Sequence, residues 1–362
     1  MGIGKSLERA YRARILKRLQ RDLRRDRPMP IPIPLPENAR LLIIRPEKLG
    51  DAYITLPLIH ALRAQRPDLS IEWVASPRQL PLLSGEPAID KVHLYNKRHR
   101  RERAKLLPLA DQPWAAVLDL IYGDSATGLA LCGKLAPHAP RLAAHKNDLT
   151  DCYDYVFTDS REIPAAETAL GLLRPLGLDA AADSLPRLTF SHGERARATQ
   201  VAAEMNMGRE ALIVNISVGK PTRLWPDEKF VSVLDDLSRL FTMRVILCTP
   251  ADRPRAVQIA KAANGHVEIV PRDLDIRSAA ALLAQAALVI TPDTVIAHLA
   301  ASVTATVALY PGVEWNFNRW RAQGPRVTCL RASHPDEIAD IPVVAVTDAA
   351  KQLRDPAAVA QR

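Results

Sequence analysis

Short apolar runs alternate with longer segments of mixed polarity along most of this 362-residue chain, and that alternation predicts an α/β architecture. Leu41–Ile44, Ile71–Ala75, Val92–Tyr95 and Ala115–Leu120 read as buried strands. Between and after them, Ala52–Arg66, Gln79–Ser84, Ser125–Leu135 and Ala165–Leu176 read as helices. A second cycle begins near residue 190. Its strands are Ala211–Ile216, Val245–Thr249, Val267–Val270, Leu288–Ile290 and Thr306–Tyr310. Its helices are Gly193–Met205, Asp227–Leu240, Arg253–Ala263, Ile276–Ala284 and Val295–Ala301. Strands separated by helices imply parallel sheets covered on both faces. The expected organisation is a domain over 38–190, a second over 191–330, and a tail over 331–362. The helical stretch of that tail, Asp348–Arg354, is expected to pack back on the first domain.

Two segments precede the first domain. In residues 1–27, Ile3, Leu7, Tyr11, Ile15, Leu19 and Leu23 recur every four positions, an amphipathic helix with Arg and Lys on its other faces. Such a helix either lies on an anionic membrane surface or packs on its own domain with a solvated charged face. Residues 28–37 place proline at alternate positions, which excludes helix and predicts an extended spacer.

Charge sharpens this picture. The net charge is +9, yet residues 1–27 hold ten Lys and Arg against three acids, and Lys97–Lys105 holds six against one. The remainder is slightly acidic, so a general nucleic-acid-binding surface is disfavoured. Cys132, Cys152, Cys248 and Cys329 are scattered without metal-ligand spacing and are expected as free thiols in a reducing compartment. No apolar run has the length of a membrane span and the basic N-terminus lacks a signal-type apolar core. A cytoplasmic protein, peripheral on a membrane where the basic helix lies on an anionic surface, is the expected setting.

Two strand–turn–helix junctions carry candidate chemistry. Arg45-Pro46-Glu47-Lys48-Leu49-Gly50-Asp51 follows Leu41–Ile44. Gly50 permits a left-handed turn or a close ligand approach. Asp51 is either a general base for a hydroxyl or the N-cap of a helix starting at Ala52. Thr291-Pro292-Asp293-Thr294-Val295-Ile296-Ala297-His298 follows Ala287–Ile290, where first-turn N–H groups and the helix dipole suit a diphosphate. A third segment, Ser217-Val218-Gly219-Lys220-Pro221-Thr222-Arg223-Leu224-Trp225-Pro226, offers Lys220 or Arg223 to neutralise a departing diphosphate. It is not a Walker loop, and no G-x-G-x-x-G, G-x-S-x-G or H-E-x-x-H is present.

Taken together, the three segments resemble glycosyltransferase family 9, the lipopolysaccharide heptosyltransferases, over roughly residues 40–330. Those proteins carry R-x-x-x-x-G-D, a small-residue loop leading to Trp-Pro, and D-T-G-x-x-H-L-A-A. The resemblance implies a GT-B fold, two Rossmann-like domains facing a central cleft, with acceptor on the first and nucleotide-sugar on the second. It implies an inverting, metal-independent transfer of heptose from ADP-heptose to an inner-core-type acceptor, with no cofactor besides the donor. Asp51 then falls at the general base and Arg223 at the diphosphate. Ser217, Gly219, Lys220, Asp293, Thr294, Val295 and His298 fall at the donor. Lys97, Arg98, Arg100 and Arg101 are expected to attract an anionic glycolipid acceptor. Val295 replaces the family's glycine, so position 295 is expected to have ordinary helical dihedrals.

Overall fold

The computed structural model describes residues 3–160, 162–180 and 185–354, with side chains from residue 13 onward. It divides into two units, Met1–Ser184 and Leu185–Arg362, each built on a six-stranded sheet. The first sheet contains β1 (Arg40–Ile44), β2 (Ser70–Ala75), β3 (Lys91–Leu94), β4 (Trp114–Asp119), β5 (Arg141–Ala144) and β6 (Tyr155–Phe157). Every described pairing in it is parallel, in the order β3-β2-β1-β4-β5-β6. The second contains β7 (Leu212–Asn215), β8 (Arg244–Leu247), β9 (Glu268–Ile269), β10 (Leu288–Pro292), β11 (Ala305–Tyr310) and β12 (Val327–Arg331). Its order, β12-β11-β10-β7-β8-β9, is the same doubly wound arrangement counted from its own first strand. The order reverses between β1 and β4 in one unit and between β7 and β10 in the other.

Parallel neighbours need crossover connections, and helices supply most of them in both units. On one face of the first sheet, Leu42, Ile44, Val74 and Val117 meet Leu106, Leu109, Leu131 and Leu135. The register puts Ala143 level with Asp119 and Ile44 on that same face, where Leu129, Leu149 and Tyr153 continue the core. Burying one such side chain is worth about 1.5–3 kcal/mol.

Several expectations change. Leu16, Leu19 and Leu23 of the N-terminal helix Ile3–Leu23 pack against Leu129, Ala143, Leu149, Cys152 and Tyr153. Over its described side chains the apolar stripe is therefore spent on the helix's own domain, and Ile3, Leu7 and Tyr11 lie outside the described side chains. Arg141 Nη1 donates to Leu23 O at 2.8 Å and Arg25 Nη2 to Ala139 O at 2.6 Å, fixing the helix exit. The proline segment is likewise no free spacer. Ile33 is buried, its N–H donates to Pro175 O at 2.7 Å, and Arg66 donates to Leu35 O and Pro36 O.

The tail also departs from expectation. Ile338, Ile341, Val346, Ala349, Ala350 and Leu353 join the core of the second unit, so the expected partner of helix Val343–Arg354 is replaced by its own unit. The anticipated helix 165–176 ends at Leu170, with a separate turn Arg174–Leu176 closed by Gly177 in the left-handed region at φ 71°. Strands β5, β6 and β12 and helix Glu314–Trp320 had no counterpart in the sequence reading.

Candidate active site

Ligands in doubly wound sheets bind outside the carboxyl ends of the strands where the order reverses. In the first unit that point is the junction after β1. Helix Leu49–Gln65 begins there, with Lys48 as N-cap and Asp51 as its third residue. The N-cap expected at Asp51 is thus displaced by three residues. Asp51 still caps, by reaching back: its Oδ2 accepts the Lys48 N–H at 3.0 Å. Arg45, buried, stands between two carboxylates, with Nη2 3.7 Å from Asp51 Oδ1 and Nε 3.6 Å from Glu47 Oε2. Loss of hydration pushes the Glu47 carboxyl above its usual range; Arg45 opposes this, and Asp51 and Asp119 add to it. Gly50 is not in the left-handed region, and a Cβ there would meet nothing within 4 Å. Of the two roles glycine offered, only open space above the backbone remains.

Beside this turn, at the end of β4, Asp119 is fully buried. Lys146 Nζ lies 3.2 Å from its Oδ2, Tyr153 OH donates to the same oxygen at 2.6 Å, and Ile121 N–H donates to Oδ1 at 3.0 Å. The Lys146 ammonium also donates to Ile121 O and Gly123 O, which fixes the loop after β4. These bonds satisfy a charge pair that would otherwise be costly to bury. Gly128 makes room for it, since a Cβ there would lie 2.4 Å from Asp119 Oδ2.

The second unit repeats the geometry with different chemistry. Asn215 at the end of β7 donates to Thr291 Oγ1 at 2.9 Å, joining the two strands across the reversal, and its Oδ1 accepts the Ser217 N–H at 3.2 Å. Thr294 caps helix Val295–Ala301 by accepting the Ile296 N–H at 3.2 Å. Arg223 Nη2 lies 2.9 Å from Asp293 Oδ2, and its Nη1 donates to Asp293 O at 3.2 Å. Asp293 is buried and Arg223 partly exposed. The Arg223 loop is anchored by Trp225, whose Nε1 donates to Ile341 O at 3.1 Å. Ser217 Oγ is shared between the Asp252 carboxylate and the Thr249 N–H, committing that hydroxyl to the end of β8.

The structure therefore brings together Ser217, Arg223, Asp293, Thr294 and Val295, leaves Gly219 and Lys220 exposed on the loop, and buries His298. Val295 opens its helix outside the left-handed region, so valine carries no backbone strain there. Lys97, Arg98, Arg100 and Arg101 are exposed after β3, at the same edge of the sheet as Asp51. The expected loop there includes a short helix, Arg100–Ala104. Sequence reasoning passed over Glu47, Asp119, Lys146, Asn215 and Asp252. A polar residue ending an apolar strand was the available signal for Asp119 and Asn215.

Among the described residues no helix is long and apolar enough to cross a membrane. No curated protein matches the sequence. The family signature described as Glycosyltransferase family 9 (heptosyltransferase) matches residues 153–341, just over half of the chain. Among solved structures, a family 9 glycosyltransferase from Veillonella parvula DSM 2008 is similar at TM-score 0.74 and 19% identity, covering 89% of this chain and 99% of that one. E. coli heptosyltransferase WaaC with ADP is similar at TM-score 0.68 and 18% identity, covering 87% and 99%. E. coli ADP-heptose lps heptosyltransferase II gives TM-score 0.66 at 17% identity, with 87% and 98% covered. These similarities agree with the two parallel sheets described above, and the signature settles the family: the chain belongs to glycosyltransferase family 9, the heptosyltransferase family.

Proposed function

We propose that this glycosyltransferase moves a heptose from ADP-heptose to an anionic, lipopolysaccharide inner-core-type acceptor, with inversion and without a metal. The carrying observation is the Arg223–Asp293 pair beside the capped helix Val295–Ala301, at the order reversal of a family 9 chain. A diphosphate at that point meets a guanidinium and the positive end of a helix, and Asp293 holds the guanidinium in place. Asp252, following the second strand of the unit, stands where such sheets receive ribose hydroxyls. The adenine assignment leans on relatives solved as "E. coli heptosyltransferase WaaC with ADP" and "with ADP-2-deoxy-2-fluoro heptose".

In this reading Asp51 removes the proton from the acceptor hydroxyl as its oxygen bonds to the anomeric carbon. The bond from that carbon to the β-phosphate oxygen breaks on the opposite side, which inverts the centre. Arg223 and the positive end of helix Val295–Ala301 take up the charge that develops on the departing diphosphate. The exposed cations Lys97, Arg98, Arg100 and Arg101 attract the acceptor's acidic groups, at the edge that presents Asp51.

A thermal-shift panel of ADP, UDP, GDP and CMP in the presence of chelator tests the donor side. Saturation at a hundredfold over Kd stabilises by about 2.7 kcal/mol. A selective ADP response supports the donor assignment, and a response to another base redirects it. Silence toward all four transfers the weight to a GT-B-shaped binding protein without turnover. Asp51→Ala separates the classes: transfer is lost while the nucleotide response stays.

A further inference from the structure

The two basic segments, about 70 residues apart in sequence, belong to one layer of the first unit. Helix Ala126–Leu135 fills the middle of the face defined by Leu42, Ile44 and Ala143. On its β1 side lies the chain that follows the Lys97–Lys105 cluster, through Leu106 and Leu109. On its β5–β6 side lies helix Ile3–Leu23, through Leu16, Leu19 and Leu23. Contact with that helix is close: a Cβ at Gly133 would fall 2.7 Å from the methyl carbons of Leu23.

Because Leu16, Leu19 and Leu23 are turned inward, the described part of the helix shows solvent a mainly charged side. Arg14, Lys17, Arg18 and Arg21 are exposed there, with Asp22 paired to Arg18 and Arg21 as the nearest counter-charge. Arg98, Arg100, Arg101 and Lys105 are exposed on the other flank, with Glu102 among them and Leu107 protruding at 56% exposure. Lys134 is exposed between the flanks. The cations thus line one side of a single helical layer, with few acids to neutralise them.

We propose that this layer is one docking face for a bilayer rich in anionic headgroups, held by charge and not by insertion of the N-terminal helix. Insertion of the helix along its length would require Leu16, Leu19 and Leu23, and these are occupied by the domain. The arrangement deepens the proposed function and rests on its membrane-borne acceptor, since it seats the protein by the layer whose basic flank starts at the edge carrying Asp51. Cations near such a surface contribute roughly fivefold each in partitioning, and the contribution falls with salt.

Flotation of the full chain with acceptor-free vesicles tests the face. The protein should bind vesicles containing phosphatidylglycerol, ignore pure phosphatidylcholine, and release at high salt. Neutralising one flank (Arg14→Gln, Lys17→Gln, Arg18→Gln) and, separately, the other (Arg98→Gln, Arg100→Gln, Arg101→Gln) should each weaken partitioning roughly a hundredfold. Binding that survives salt or extends to neutral lipid means insertion and overturns the proposal. A loss confined to one flank overturns the single face. Preference for RNA added as competitor overturns the lipid partner. An unchanged ADP thermal shift in the same preparations shows both variants folded. It also separates failure of the docking face from failure of the donor assignment.

Discussion

Replacing Gly50 by alanine separates the protein's own requirements from those of its substrate. Gly50 is the second residue of helix Leu49–Gln65, lies outside the left-handed region, and has nothing within 4 Å of where a Cβ would stand. Protein physics alone makes the change favourable, by about 0.5–1 kcal/mol of helix propensity. For a unit of this size that raises Tm by roughly 1–4 °C. If the acceptor reaches Asp51 across this bare backbone, the new methyl stands in its path. A methyl forced into a fitted contact costs about 1–3 kcal/mol, which lowers kcat/KM for acceptor by roughly 5- to 150-fold. Calorimetry and acceptor-varied initial rates read the two effects on one preparation. The internal comparison is Gly128→Ala, where the methyl would strike the buried Asp119 carboxylate at 2.4 Å and lower Tm. A Gly50→Ala enzyme with raised Tm and unchanged kcat/KM would refute the claim that substrate passes over this turn.

Asp51→Asn should cut transfer by about 10²–10⁴-fold while the ADP thermal shift persists, measured by product formation and melting. Lys146→Met leaves Asp119 charged and buried without its cation, and chemical denaturation should report a loss of about 3–5 kcal/mol. Glu47→Gln should raise Tm at neutral pH and lose that gain below about pH 4, where the unfolded carboxyl is also protonated. The sign follows from a folded pKa above the unfolded one: the group's contribution is full at low pH and disappears as pH rises through the folded value. Leu19→Ala should free the N-terminal helix from Leu129 and Tyr153, seen as faster proteolysis near residue 20 with the melting of the second unit unchanged.

Element types were readable because the strands are nearly continuous apolar runs flanked by helices of the other periodicity. Leu41–Ile44 and Leu288–Ile290 need only their own residues to be placed. Of the strands that escaped, β6 and β12 are half-buried at sheet edges, where side-chain pattern carries less information, and β5 is a buried run of only four residues that opens on Arg141. The N-terminal stripe was visible, but what covers it was not. A leucine every fourth residue suits a lipid surface and a neighbouring helix equally, and Gly133 only becomes decisive once Leu23 is seen over it. The site was legible where one short segment holds it, as at Asp293-Thr294-Val295. It was illegible where distant residues meet: Asp119 finds Lys146 and Tyr153 only after β4 and β5 are paired, and Asn215 finds Thr291 only across the order reversal.

The same doubly wound order occurs twice, so the difference between the units lies in what terminates the first and fourth strands. After β1 and β4 the chain places Glu47, Asp51 and Asp119, three carboxylates restrained by Arg45 and Lys146. After β7 and β10 it places neutral Asn215 and Thr294 and a single buried acid, Asp293, already engaged by Arg223. Arg45 and the Lys48 N–H hold the Asp51 carboxylate in orientation, which leaves it placed to receive a proton from a neutral hydroxyl in the proposed reaction. A neutral floor with a guanidinium and the positive end of a helix suits a dianionic leaving group, which carboxylates would repel. Exchanging the two sets would defeat both proposed tasks: an aspartate at Asn215 would set an unpaired charge beneath the place proposed for the phosphates. Asn215→Asp is accordingly expected to weaken ADP binding more than Asn215→Ala, although it is the closer in shape. Equal losses in the two variants, read by calorimetric titration, would show that Asn215 acts through its hydrogen bonds alone and that the neutrality of this floor is incidental.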